Sequence, residues 1–338
     1  MQLIGVNQLP AEPWQAAFAQ TVSSMSQLLA YLELDSTQVN IPSQVNLDYF
    51  PLKMPWGYLT KIEKRNPQDP LLLQVLPSAF EFQEQPGYVL DPLQEQMFTP
   101  VGGVIHKYAH RVLLITTQAC VINCRYCFRR HFPYADNSMS ASRFATALAY
   151  IEACPELDEV ILSGGDPFSL SDDKLIAMLK ALDQIPHVKR IRFHSRLMAI
   201  LPQRLTQQLL HCFASLRSAV VIVFHVNHPA ELDDQFTLIT SKLRAIGVHL
   251  LNQSVLLAHV NDNAQVLSRL SHALFSAHVL PYYLHLLDPV VGAHHFDVSL
   301  STAQAIMKTL LANLPGYLVP KLVREKPGMA NKMLVDLG

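Results

Sequence analysis

The chain has 338 residues, half of them hydrophobic, and 26 Lys and Arg against 27 Asp and Glu give it a formal net charge of −1. Such a balanced chain lacks the basic surface that nucleic-acid-binding domains use, and no apolar run is long enough to cross a bilayer. The first residues, MQLIGVNQLPAEPW, contain neither a basic leader nor a signal-like apolar stretch. We therefore expect a cytoplasmic protein with no nucleic-acid or membrane partner.

Residues 1–100 lack a regular hydrophobic period and are rich in proline. These prolines include Pro51, Pro55, Pro67, Pro70, Pro77, Pro86 and Pro92. We interpret this part of the chain as a small helical N-terminal region with an irregular connection to the rest of the protein.

Residues 101–316 alternate short β-branched runs with amphipathic stretches, the pattern of β/α units around a parallel sheet. The predicted strands are Val112–Thr116, Glu159–Ser163, Arg190–His194, Val220–His225, Val248–Gln253 and Leu280–Leu286. Helices are predicted near 140–154, 171–184, 202–216, 231–246, 262–277 and 300–313. Right-handed crossovers would curl these units into a partial (β/α)6 barrel with its ligands at the carboxyl ends of the strands.

Two helix starts carry capping signals, Ser171-Asp172-Asp173 and Asn261-Asp262-Asn263. A C-terminal segment, residues 317–338, comes after the barrel. Its run Tyr317–Val323 could add another strand.

Three of the five cysteines, Cys120, Cys124 and Cys127, fall in the loop after the first predicted strand. In a large cytosolic chain such spacing favours metal ligation over disulfides. Three thiolates leave one iron of a four-iron cubane open to a small molecule, whereas a zinc site would take a fourth ligand, which His131 could supply. Cys154 and Cys212 are interpreted as buried apolar residues.

The second predicted strand ends in Ser163-Gly164-Gly165-Asp166-Pro167. Two glycines allow a ligand to approach the backbone closely, although Gly-Gly-Asp-Pro alone is an ordinary turn sequence. The spacing CxxxCxxC, with Tyr126 and Phe128 on either side of Cys127, resembles the radical-SAM superfamily. That resemblance implies a [4Fe–4S] cluster on the three cysteines and S-adenosylmethionine (SAM) on the open iron, near Gly164, Gly165 and Asp166.

A more specific resemblance is to the lysine 2,3-aminomutase family, particularly its branch that makes β-lysine for elongation factor P. It spans roughly residues 50–338, in order: Arg129, Ser163–Asp166, His194–Arg196, Asn252–Leu257 and Pro281–Tyr283. It implies pyridoxal phosphate (PLP) held as a Schiff base by Lys332, within the string Pro327-Gly328-Met329-Ala330-Asn331-Lys332. A lysine there would otherwise be a solvated charge.

The family resemblance also implies further ligand contacts. Cofactor contacts map onto Lys107, Tyr108, Arg111, His225, Asn252 and Gln253, and substrate contacts map onto Arg129, Asp288 and Glu325. Arg129 would bind the α-carboxylate of free L-lysine, while Asp288 and Glu325 would meet the ε-ammonium. Lys107 stands where longer members carry arginine, and Glu325 where they carry aspartate.

The implied reaction moves the α-amino group of L-lysine to C3, yielding β-lysine, with the R form suggested by the elongation factor P branch. An electron donor such as flavodoxin or ferredoxin and a ligase that loads β-lysine on elongation factor P are the implied partners. Two alternatives remain: an aminomutase for glutamate or another amino acid, and an iron–sulfur or zinc regulatory protein without catalysis. A monomer or dimer is expected rather than a tetramer.

Overall fold

A computed structural model describes residues 14–41, 50–137 and 139–338 of the chain. Of the N-terminal stretch MQLIGVNQLPAEPW only Trp14 is described, and parts of the predicted N-terminal region also lie outside the described residues. No helix in the described ranges is both long and apolar enough to cross a bilayer.

The N-terminal region consists of short helices and a two-stranded antiparallel sheet. Its elements are α1 (Trp14–Ala19), β1 (Thr21–Val22), α2 (Met25–Leu32), β2 (Met54–Pro55), α3 (Trp56–Leu59) and α4 (Pro70–Leu73). Proline sets one of these starts: Pro70 is the first residue of α4, and the Asp69 carboxylate accepts the amides of Leu71 and Leu72. Short 3-10 turns at Ser36–Gln38, Ala79–Phe82 and Glu95–Phe98 connect the rest.

The remainder is built on a nine-stranded sheet. Its strands are β3 (Val104–Tyr108), β4 (Arg111–Thr117), β5 (Glu159–Gly164), β6 (Arg190–Ser195), β7 (Ala219–His225), β8 (His249–Val255), β9 (Leu280–His285), β10 (Lys321–Arg324) and β11 (Met333–Leu334). They lie side by side in chain order, with β4 to β10 parallel and β3 and β11 antiparallel at the two edges. The partial barrel is confirmed.

The predicted strands agree with the observed ones to within two residues at each end. The exception is Tyr317–Val323, where Gly316–Leu318 forms a 3-10 turn and the strand begins only at Lys321. Parallel strands covered on their outer face need long runs of Val, Ile, Leu and Phe, and this composition made them recognisable.

Helices connect the parallel strands and cover the outside of the sheet. They are α5 (Tyr134–Asn137), α6 (Ala141–Glu152), α7 (Asp172–Asp183), α8 (Leu197–Ile200), α9 (Gln207–Ser215), α10 (Asp234–Ala245), α11 (Ala264–Ser276) and α12 (Leu300–Asn313). The predicted helix 202–216 is divided: Pro202–Arg204 forms a 3-10 turn, and α9 begins only after Thr206, whose side chain caps the Leu209 amide.

One of the two capping predictions is wrong. Ser171 stands before α7 but makes no side-chain cap, and the Asp172 carboxylate instead accepts from Arg204 and Thr206. Asn263 does cap α11, accepting the amides of Gln265 and Val266.

Alternation along the strands separates two environments. In β6, Ile191 and Phe193 are buried toward the helices, whereas Arg192 and His194 point to the opposite face and line an internal cavity. Residues of the N-terminal region, among them Leu28, Leu32 and Leu59, belong to the same apolar core as the barrel. The main hydrophobic core therefore lies outside the sheet, and the charged and polar residues of the strands face the cavity together with some apolar ones.

Candidate active site

A cavity of about 530 Å³ opens inside the sheet. Its size is that of a small-molecule site, and its walls include the carboxyl ends of the parallel strands and the loops after them. The predicted site residues that line it are Lys107, Tyr108, Arg111, Cys120, Cys124, Cys127, Arg129, Gly164, Gly165, Asp166, His225, Gln253, Asp288, Glu325 and Lys332.

Asn252 is the predicted residue that does not reach this cavity. It is buried on the helix-facing side of β8, where its side chain bonds to the backbone N–H and C=O of Val226 and to Ser254 Oγ. Neighbouring residues of a strand point to opposite faces, so Asn252 and Gln253 cannot both face inward. The side chain of Asn252 therefore holds the end of β7, and a contact between this residue and a cofactor stays a prediction.

The cysteine loop comes directly after β4, with Cys120 three residues after Thr117. The Cys127 amide donates to the Cys124 carbonyl at 3.0 Å, which turns the chain back on itself and directs all three thiols to the cavity. Burial raises the pKa of the Cys120 thiol well above its usual value, and burial together with Cys124 raises that of Cys127 to about 11. Thiolates here would therefore need a metal to stabilise them.

His131, the residue that could complete a zinc site, is engaged elsewhere. Its Nε2 donates to the Val291 carbonyl at 2.9 Å, and it is absent from the cavity wall. Among the described residues, no three His, Cys, Asp or Glu side chains are grouped tightly enough for a single ion.

The glycine pair fixes the cysteine loop to the end of β5. A Cβ on Gly165 would lie 2.5 Å from the Ala119 carbonyl oxygen, and one on Gly164, where φ is +107°, would lie 2.9 Å from Ile115. The Gly165 amide donates to the Thr117 carbonyl at 2.7 Å. Both glycines are thus required by contact within the protein, whatever ligand they also meet.

Asp166 lines the cavity, but its carboxylate oxygens already accept hydrogen bonds from other groups of the protein. Ser195 Oγ and the backbone amides of Phe168, Arg196 and Leu197 donate to it at 2.7 to 3.0 Å. Its oxygens therefore hold the loop after β6 in place. A direct contact between Asp166 and SAM stays a prediction.

A buried polar group behind the cysteine loop, here called the Arg196 cluster, comprises Tyr58, Gln74, Cys124, Tyr126, Arg196, Asn227 and Glu231. The Arg196 guanidinium donates to Cys124 Sγ (2.8 Å), Tyr126 Oη (2.8 Å), Gln74 Oε1 (2.8 Å), Glu231 Oε2 (2.9 Å) and Tyr58 Oη (3.2 Å). Burial alone would raise the pKa of Glu231, but Arg196 lowers it below its usual value. The cluster thus contains a buried ion pair.

Lys332 and Glu325 form an ion pair in the wall of the cavity. Glu325 also accepts from Lys107 Nζ at 3.1 Å. Burial raises the pKa of the Glu325 carboxyl, yet the two lysines bring it down to about 2. Glu325 is therefore ionised and shared between two cations.

Arg129 is held by an acid that was not predicted from the sequence. Its guanidinium makes a bidentate pair with Glu95, with Nε to Oε2 at 2.7 Å and Nη2 to Oε1 at 2.8 Å. Its Nη1 lies 3.4 Å from Ser163 Oγ. Glu95 is also 3.6 Å from Lys107 Nζ, so it links the predicted carboxylate-binding arginine to the Glu325 ion pairs.

Asp288 differs from the other acids of the cavity. Burial, and after it repulsion from Glu325, raises its pKa to about 7. A cation placed between the two carboxylates would relieve this repulsion.

Arg111 is the cation best placed for an anionic group. Its guanidinium lies over the Tyr108 ring, 4.1 Å from the centroid, and forms no ion pair with the described residues. Lys107, the neighbouring predicted contact, is already shared by Glu95 and Glu325.

Three histidines line the cavity near these groups. His225 stacks on Tyr126, with its Nε2 3.0 Å from Tyr126 Oη, and burial with the nearby Arg196 lowers its pKa to about 3. Burial also holds the pKa values of His194 and His285 well below the usual range. All three are neutral at physiological pH.

Several residues of the cavity wall were given no role in the sequence analysis, although some of them lie in the strings that carry the family resemblance. They are Glu95, Glu159, Arg192, His194, Arg196, Tyr282, Tyr283 and His285. The strand-borne residues could have been found by tracing the inward positions of each strand, since Glu159 and Arg192 pair across β5 and β6. Glu95 lies in the region without a regular period and carried no such signal.

The chain is similar to known proteins both in its central part and over its whole length. A family model described as the radical SAM superfamily matches residues 114–253. The L-lysine 2,3-aminomutase of Escherichia coli K12 is 48% identical over 99% of this chain and 98% of the relative. Proteins of the same name from Haemophilus influenzae and Buchnera aphidicola are 45% and 40% identical, over 96% of this chain and 98% and 96% of the relatives.

Proposed function

Because the chain belongs to the radical SAM family of L-lysine 2,3-aminomutases, we propose that it converts L-lysine to β-lysine with a [4Fe–4S] cluster, SAM and PLP. As a member of that family it is an isomerase. The observation that carries the proposal is that three thiols, a lysine and an acid pair line one cavity.

The cysteines fit a cluster better than a zinc ion. Thiolates around a cubane each bind a different iron and lie farther apart than the ligands of one ion. His131 is occupied by Val291 and leaves the fourth position to a small molecule. Cys120, Cys124 and Cys127 would therefore hold the cluster, and SAM would take the open iron near Gly164 and Gly165.

Other residues of the cavity wall fit PLP. Lys332 lines the cavity, and Arg111 over the Tyr108 ring offers to a phosphate group a guanidinium that has no acid partner among the described residues. Lys107 supplies a second positive charge, and Gln253 and His225 also line the cavity.

Three charged side chains would bind the charged groups at the two ends of lysine. Arg129, oriented by Glu95, would bind the α-carboxylate, while Asp288 and Glu325 would bind the ε-ammonium. Glu325 also pairs with Lys332, which places the carboxylate proposed for the substrate ammonium next to the lysine that would hold PLP.

When bound, the cluster and SAM supply a carbon radical that removes hydrogen from C3, and PLP supplies a π system that stabilises the unpaired electron during amino migration. The protein's own part is positioning. Arg129 and the Asp288–Glu325 pair grip the two ends of lysine so that C3 is held at one point of the cavity. The apolar walls around Ile105, Val121 and Leu287 exclude water.

The alternatives fit less well. A glutamate aminomutase would bring a side-chain carboxylate against Asp288 and Glu325, which would repel it. A regulatory protein without catalysis would have no use for a lysine and an acid pair beside the cysteines.

Further parts of the proposal depend on the resemblance to the elongation factor P branch. They are the R configuration of the product, an electron donor such as flavodoxin or ferredoxin, a cytoplasmic location and a ligase that transfers β-lysine to elongation factor P. The experiment that tests the central claim is chiral chromatography after anaerobic incubation of reconstituted protein with reductant, SAM, PLP and L-lysine. Formation of β-lysine supports it, whereas SAM cleavage without β-lysine would leave the radical SAM assignment and contradict the substrate.

We expect Glu95→Gln to raise the KM for lysine about tenfold, equivalent to about 1.4 kcal/mol of binding, with a smaller change in kcat. The amide can no longer accept both guanidinium N–H groups of Arg129, so the arginine loses its orientation. Steady-state kinetics at saturating SAM and PLP measure the two constants. Glu84→Gln, an exposed acid of the same region, is the control, and an unchanged KM in Glu95→Gln would show that Arg129 needs no support.

The pKa of about 7 at Asp288 predicts a pH profile. Because a raised pKa leaves the carboxyl neutral below about pH 7, kcat/KM for lysine should fall roughly tenfold per unit as the pH drops below that value. Glu325, with its pKa near 2, stays ionised throughout. Asp288→Asn should lower kcat/KM and remove this acid limb. A limb that persists in the variant would belong to another group.

A further inference from the structure

We propose that Arg196 sets the reduction potential of the iron–sulfur cluster through a charged hydrogen bond to Cys124 Sγ, with Glu231 as the opposing charge. The inference rests on the proposed function, because it requires Cys124 to be a cluster ligand. It concerns a residue that touches neither lysine nor PLP in the proposed reaction.

The contact distinguishes one cysteine from the other two. Arg196 Nη1 lies 2.8 Å from Cys124 Sγ. Among the described residues, no comparable charged donor reaches the sulfur of Cys120 or Cys127 in hydrogen-bond contact. A guanidinium donates strong, directional bonds and stays charged at every physiological pH, so this sulfur alone has a permanent positive partner.

The guanidinium cannot swing away from the sulfur. Arg196 is 6% exposed, and its other bonds run to Tyr126, Gln74, Tyr58 and Glu231. Its Nε lacks a partner within the described chain. Glu231 is fixed in turn by the amides of Asn227 and His228. Both charged groups are therefore fixed relative to Cys124. The Arg196 guanidinium contacts its sulfur, whereas the Glu231 carboxylate contacts the guanidinium.

Reduction of the cluster transfers one electron from an external reductant, which is oxidised by one electron, and neither makes nor breaks a bond at Cys124. The added negative charge is stabilised by a donor to the sulfur, which makes the potential less negative. Glu231 acts in the opposite sense from farther away. Removing Glu231 alone should make the potential less negative, and removing both charges should make it more negative than in the wild type.

The experiment uses reconstituted full-length protein without SAM, titrated with dithionite while the reduced cluster is monitored by electron paramagnetic resonance. Glu231→Gln and the double variant Arg196→Gln/Glu231→Gln are compared with the wild type. The double variant leaves no unpaired buried charge, which favours folding. Arg192→Gln/Glu159→Gln is the matched control, because this ion pair lines the same cavity without bonding to a cysteine.

Opposite shifts in the two Arg196-cluster variants, with no shift in the control, support the proposal. Equal potentials in all proteins, or shifts in the same direction, overturn it, as would a matching shift in the control. If the double variant does not fold, the direction of the Glu231→Gln shift decides. Wild-type protein without a cluster signal would refute the proposed function itself, a result distinguishable from an unshifted potential.

Discussion

Cys124→Ala is expected to lose essentially all β-lysine formation and SAM cleavage, because two remaining thiolates cannot hold the cubane that reduces SAM. Cys124 is half-buried at the edge of the apolar core, and its loss removes one of the five hydrogen bonds that Arg196 donates. The fold and the attachment of PLP to Lys332 should therefore survive. Iron and sulfide analysis, the optical spectrum of bound PLP and an assay for deoxyadenosine measure the three properties separately.

Cys154→Ala is the matched control for this experiment. Cys154 lies just after α6 and is not among the residues of the cavity wall. It should keep both iron and activity. Persistent SAM cleavage in Cys124→Ala would refute the assignment of the cluster ligands, whereas simultaneous loss of PLP binding would mean that the cysteine loop shapes the whole cavity.

Lys332→Ala should reduce activity by about 10³-fold or more and abolish covalent attachment of PLP, since the amine that forms the bond is gone. The cluster should be unaffected, because Lys332 bonds to Glu325 and to none of the three cysteines. Borohydride reduction of the wild type, with peptide mass spectrometry of the product, should find the cofactor on Lys332. Lys326→Ala, an exposed lysine of the same segment, should retain the modified peptide.

A label on a different lysine would contradict the assignment. Removal of Lys332 should also leave Glu325 paired with Lys107 alone. The Glu325 pKa, now near 2 because of both lysines, should then rise.

Much of the architecture could be predicted from the sequence, because the patterns that indicate it lie within short stretches of the chain. Strands buried between helices and a cavity are marked by runs of β-branched and other apolar residues. The limits of the six strands predicted for the barrel were therefore found within two residues. The cysteine loop was found because its spacing lies within eight consecutive residues.

The residues that the sequence did not place depend on contacts between distant parts of the chain. The family resemblance implied a cofactor contact for Asn252, whereas the alternation of β8 turns its side chain to the helix-facing side. Glu95 lies 34 residues from Arg129, and Tyr58 lies 138 residues from Arg196. No local pattern encodes pairs at such separations, so a buried acid in a region without a regular period looked like a surface residue.

The pairing of Gly165 with the Thr117–Ala119 segment has a mechanical consequence. With only hydrogen at this position, two neighbouring backbones touch directly, and the chain runs from that point of contact straight into Cys120. A methyl group at residue 165 would push the backbone at Ala119 away from β5. Because Cys120 is the next residue, its thiol would be displaced as well. This contact would therefore help to set the position of Cys120 relative to the other two thiols, and the iron content of a Gly165→Ala variant would report how strongly it does so.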